Sequence, residues 1–136
     1  MITLTIEGDT TIWDQLMAAY DKLATRISAA LYAAGMRKKQ LEAIEQEGFY
    51  DPIPTPCIER REGQGEYLRL VFPTDRAGQR RREYIGANPK KVAAAKEKLA
   101  RSEERLRLRR ELDAIQRDAR DALTALQAAN RSLEGW

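Results

Sequence analysis

The chain contains no histidine among its 136 residues and a single cysteine, Cys57. Without imidazole there is no histidine general base, no side chain titrating near neutrality and no histidine metal ligand, which removes the common triads and zinc hydrolases. One thiol cannot close an internal disulfide or build a cysteine zinc site. Cys57 follows Pro56 and has no histidine to activate it, so it reads as a small packed residue rather than a nucleophile. Gly-rich phosphate loops are missing too: Gly63-Gln64-Gly65 is a turn, and nothing matches GxxxxGK[ST]. No window approaches the run of about 20 apolar residues that a spanning helix requires. The opening MITLTIEGDTT lacks the basic-then-apolar layout of a signal peptide, so a cytoplasmic location is expected. These absences lead to the expectation of a non-enzymatic protein with no cofactor, no metal and no membrane partner.

Aromatic residues are scarce at 7%, against 33% charged and 43% hydrophobic residues. That balance belongs to long exposed helices rather than to a compact sandwich. The length suits one domain spanning 1–136. From Leu16 the apolar or small residues Tyr20, Leu23, Ile27, Ala30 and Ala34 follow in steps of four and three, with Leu41 and Ile44 in phase. Thr11 and Asp14 resemble a capping box, and Gly48 with Pro52, Pro54 and Pro56 closes the other end, which predicts a helix over 12–46. Gly35 inside it admits a bend. Asn88-Pro89 reads as a cap and first helical position, which predicts a second helix over 89–132. Its early seam is Val92, Ala95, Leu99, Ser102 and Leu106. The later seam, from Leu108 through Leu112, Ile115, Ala119, Ala122, Leu126 and Ala129 to Leu133, is out of phase with the first, which implies a change of packing partner. The later seam is expected to lie antiparallel on helix one.

Between the helices the period drops to two. Leu68, Leu70 and Phe72 alternate with Tyr67, Arg69 and Val71, the mark of a half-buried strand. Flanked by Cys57 to Arg61 and Gln79 to Ile85 across turn residues, it predicts a three-stranded antiparallel meander over 57–86. Ile2, Leu4 and Ile6 alternate as well and could add a fourth strand. The fold expected is α+β, mostly α: two long helices in an antiparallel, coiled-coil-like hairpin with a small three-stranded antiparallel sheet between them. Trp13 and Trp136 would then fall at one end of the bundle, Trp13 closing its core.

Residues 76–110 carry thirteen Lys and Arg against four acids, and residues 57–91 carry nine basic against five acidic groups. Everything outside 57–91 totals fifteen basic and sixteen acidic, so the sheet region accounts for the net charge of +3. Arginine's planar fork suits phosphate and guanine, and tyrosine offers a stacking face. The candidate nucleic-acid contacts are therefore Arg60, Arg61, Tyr67, Arg69, Arg80, Arg81, Arg82, Tyr84, Lys90 and Lys91. Against this stands the plain reading that the arginines keep an exposed sheet soluble and form helix ion pairs such as Glu97 with Arg101 and Glu103 with Arg107. DNA or RNA is the partner expected first. The alternative is a protein-protein interaction module using the acidic residues 1–56 or the Arg-rich second helix, such as a small inhibitor or subunit of a nucleic-acid-processing complex encoded by a mobile genetic element. The ratio of seventeen Arg to seven Lys, with abundant Ala, suggests a bacterial source. Either one hairpin or a homo-oligomer could satisfy the helical stripes.

The stretch EYLRLVF, followed by GQRRREYIG, Pro89 and KVAAAKEKLA, resembles the small DNA-binding domain at the N-terminus of phage-type tyrosine recombinases. In that family a three-stranded sheet precedes a helix and meets DNA through the sheet. The likeness covers about residues 57–100, and the long flanking helices lie outside the family's pattern. With no histidine and no room for a recombinase catalytic domain, what the resemblance implies is the binding mode alone, with Arg69, Arg80 and Arg82 as contacts.

Overall fold

The structure, a computed structural model, describes residues 10–63 and 65–136, apart from the side chains of Thr10 and Arg61. The alternating residues Ile2, Leu4 and Ile6 lie outside the described residues. In chain order the elements are α1 (Thr10–Glu47), β1 (Thr55–Arg61), β2 (Gly65–Val71), β3 (Arg82–Gly86) and α2 (Pro89–Leu133). Two long helices with a small antiparallel sheet between them in the chain are what the sequence periodicity leads one to expect. The described residues divide into two compact units, one within 39–110 and one of 10–38 with 111–136. The boundary on α2 lies a few residues beyond the phase slip at Leu106 to Leu108.

In the 39–110 unit the strands form a meander in the order β1-β2-β3, all neighbours antiparallel. The period-two reading of β2 holds: Leu68, Leu70 and Phe72 are buried and meet Ala95 and Leu99 of α2, with Tyr50, Ile53, Ile85 and Val92 around them. The early seam of α2 is thus the helix stripe that covers the sheet. Leu106, placed in that seam by spacing, is instead exposed, and Leu108 is buried. The start of α2 is fixed by Asn88, whose Oδ1 accepts the amides of Lys90 at 3.0 Å and Lys91 at 3.4 Å, satisfying two donors that the helix cannot.

At the end of α1 the Gly48 amide donates to the Ile44 carbonyl at 2.9 Å, and Gly48 itself takes the left-handed conformation (φ 100°) that turns the chain out of the helix. The chain that follows is tied to α2. Ser102 Oγ accepts the Tyr50 amide and donates to the Lys98 carbonyl, both at 2.7 Å, and Arg101 Nε donates to the Gly48 carbonyl at 2.9 Å. The Arg105 guanidinium lies 4.0 Å above the Phe49 ring.

In the other unit, the 10–38 segment of α1 and the 111–133 segment of α2 run antiparallel. Arg37 Nε donates to Glu111 Oε2 at 2.9 Å, while Leu23 and Leu126 line one groove. Helix α1 begins two residues earlier than the capping-box reading, so Thr11 sits within the helix rather than capping it. Trp13 does not close a core: it is exposed, as is Trp136.

Candidate nucleic-acid interface

The antiparallel register sets which side chains share a face. Arg69 stands opposite Cys57 of β1 and Tyr84 of β3, Tyr67 stands opposite Glu59, and Val71 opposite Thr55 and Arg82. Because Leu68 and Leu70 face α2, these residues form the side of the sheet turned away from the helix. Tyr67, Arg69, Arg82 and Tyr84 are therefore brought onto one surface. Tyr84 is 74% exposed. Arg69 is held from several sides. Its guanidinium lies 3.7 Å from Glu59, and the neighbouring Tyr84 and Cys57 side chains, with Glu59, raise it above even the usual arginine range, while among the described residues its buried Nε has no hydrogen-bond partner. Arg61 belongs to the last position of β1, and its side chain lies outside the described residues.

The remaining candidates are spread more widely than the sequence implies. Strand β3 begins at Arg82, so Arg80 and Arg81 sit in the β2–β3 loop rather than in the strand. The cause is Asp75, which turns the chain: its Oδ1 accepts the amides of Ala77 and Gln79, both at 2.9 Å, and its own amide donates to the Gln79 carbonyl at 2.8 Å. This bonding fixes the loop that carries Arg76 and Arg80. Arg81 lies with its guanidinium 4.1 Å above the Phe72 ring, on the helix side of the sheet, whereas Arg82 belongs to the far side. Arg60 pairs with Glu66 at 3.1 Å. Lys90 and Lys91 are exposed at the start of α2.

Charge pairing separates these residues into two classes. Arg60, Arg69, Arg101 and Arg105 each have a carboxylate partner, namely Glu66, Glu59, Glu47 and Asp51. Arg107 bonds Glu104, three residues before it, and Arg101 reaches Glu47 rather than Glu97. By contrast, residues 76–91 hold six cations, Arg76, Arg80, Arg81, Arg82, Lys90 and Lys91, against the single acid Glu83. Among the described residues none of these six takes part in an ion pair. All six are exposed.

Beside them β3 and α2 enclose an open cleft of about 440 Å³. Lys91, Lys98 and Arg101 line it with Tyr50, Glu83 and Tyr84. The Lys98 amine stands 4.3 Å above the Tyr50 ring. Burial, and secondarily the Glu83 carboxylate, raises the Tyr50 phenol above its ordinary value, with Arg101 opposing. Tyr50, Lys98 and Arg101 were not legible as site residues, since they reach the cleft from the α1–β1 connection and from a helix face that spacing alone assigns to solvent. The cleft presents cations and a phenol but, among the described residues, no group of three or more His, Cys, Asp or Glu that could hold a metal ion. No described helix is long and apolar enough to cross a membrane.

The chain matches no family model, no curated protein and no solved structure.

Proposed function

We propose that the protein is a non-enzymatic nucleic-acid-binding protein whose segment 76–91, from the β2–β3 loop through β3 to the start of α2, meets the phosphate backbone of DNA or RNA. The observation that carries this reading is the set of six exposed cations in that segment, none of them matched with a carboxylate among the described residues. Cations that solubilise a surface are commonly balanced by nearby acids, as Arg60 is by Glu66. A local surplus raises the concentration of polyanions at the surface and is released only by salt. Tyr84 beside Arg82 adds an exposed ring on which an unstacked base can lie. In this reading Arg69, opposite Tyr84 in the register and paired with Glu59, orients the tyrosine rather than meeting phosphate itself. The resemblance to the recombinase DNA-binding domain supports the same use of the sheet. A cytoplasmic setting goes with the proposal.

The test is a variant with Arg80→Ala, Arg82→Ala, Lys90→Ala and Lys91→Ala, which spares Arg81 because of its stacking on Phe72. The expected outcome in a binding titration on labelled duplex, single-stranded DNA and RNA is a loss of affinity of at least tenfold, with unchanged circular dichroism. If the charges only guard the exposed edge of β3 against strand pairing, the variant aggregates more readily while nucleic-acid affinity stays as it was, and the proposal fails.

A further inference from the structure

We propose that the 10–38 and 111–136 arms form the docking face for a second copy of this chain. Among the described residues, no side chain of either arm is fully buried, although both arms carry sustained apolar stripes. The stripes line a groove of about 790 Å³ that Ile27, Leu31 and Ala34 of α1 share with Ala119, Leu123 and Leu126 of α2. Leu31 is 74% and Leu123 54% exposed. Two antiparallel helices alone do not remove this surface from water, and helix propensity by itself sustains such segments only marginally.

Three features point to an identical chain as the occupant. The first is area. Each arm runs for about 40 Å, and two helices side by side span roughly 20 Å. That face is on the order of 800 Å² per chain, the share of a stable interface that each partner supplies. The second is charge. Residues 10–38 carry four basic and two acidic groups, a surplus of +2, and residues 111–136 carry three basic and five acidic groups, a deficit of −2. In a four-helix arrangement in which each α1 arm lies beside the partner's α2 arm, opposite charges meet at every seam. The third is shape. Small Ala34 and Ala119 line the groove together with the large Leu31 and Leu123, so the leucines of one copy can seat against the alanines of the other.

The experiment measures the mass of the full chain in solution by light scattering at micromolar concentration. The wild type is expected near twice the 15.5 kDa of one chain. A Leu31→Glu, Leu123→Glu variant is expected at the mass of one chain, since both side chains are exposed in a single copy and the charges oppose only the second. Tyr32→Glu, at a neighbouring residue that does not line the groove, should retain the two-chain mass. As a second measurement, helical circular dichroism of the wild type should fall on dilution as the copies separate. A wild type with the mass of one chain and undiminished helicity overturns the proposal and leaves the groove to a different partner. A two-chain mass that the double variant retains overturns it as well.

Discussion

Ser102 joins parts of the chain that are 52 residues apart. Its hydroxyl accepts the Tyr50 amide and donates to the Lys98 carbonyl, while the side chain is almost entirely buried. Sequence spacing marks it as a seam position, and it is buried, but a seam says nothing of a hydroxyl's partner. That partner depends on where the chain after α1 is laid down, which is a tertiary matter. Ser102→Ala leaves the Tyr50 amide without its acceptor and is expected to lower stability by about 1–3 kcal/mol, read as a lower denaturant midpoint at unchanged slope. Gly35 has the opposite character. It lies within α1, and a Cβ built there meets nothing within 4 Å, so the bend it could permit serves no close approach. Gly35→Ala should raise stability by roughly 0.4–1 kcal/mol through helix propensity and a less flexible unfolded chain, visible as a higher melting temperature.

At the scale of elements, the features set by neighbouring residues were legible and those set by distant ones were not. The alternation Leu68, Leu70, Phe72 needs only a pleated strand with one face covered, and Asn88-Pro89 needs only the geometry of a helix start; both are realised as expected. The first residue of β3 was misjudged by three positions because Asp75 captures the Gln79 amide and holds the preceding residues in a turn. The ion pairs were misjudged for a related reason. Same-helix spacing nominates Glu97 for Arg101, yet Glu47 of α1 is the nearer carboxylate once the chain has folded. Asn88→Ala tests the element that both anchors α2 over the sheet and presents Lys90 and Lys91. Losing the cap is expected to cost about 1 kcal/mol, measured by chemical denaturation.

For the whole molecule, the sequence disclosed a basic middle and two apolar stripes, but not how either is completed. Pairing cannot be read from a charge count: Arg60, Arg69, Arg101 and Arg105 belong to the same surplus as Arg80 and Arg82, and only the fold supplies the first four with carboxylates. Nor does periodicity tell a stripe covered within one chain from one left open, as along Leu31 and Leu123. In the proposed reading the cations of 76–91, which have no carboxylate partner among the described residues, are the route to a polyanion, and their number bounds the effect. If all six meet phosphates of a duplex, the logarithm of the binding constant falls with the logarithm of salt concentration at a slope of roughly −5. Removing four of them should bring the slope to about −2. Fluorescence anisotropy of labelled duplex DNA, single-stranded DNA and RNA, titrated with the full chain at several salt concentrations, measures this directly. Binding with a steep salt slope that flattens when Arg80, Arg82, Lys90 and Lys91 are replaced is the expected result, and no binding to any of the three at low salt would contradict it.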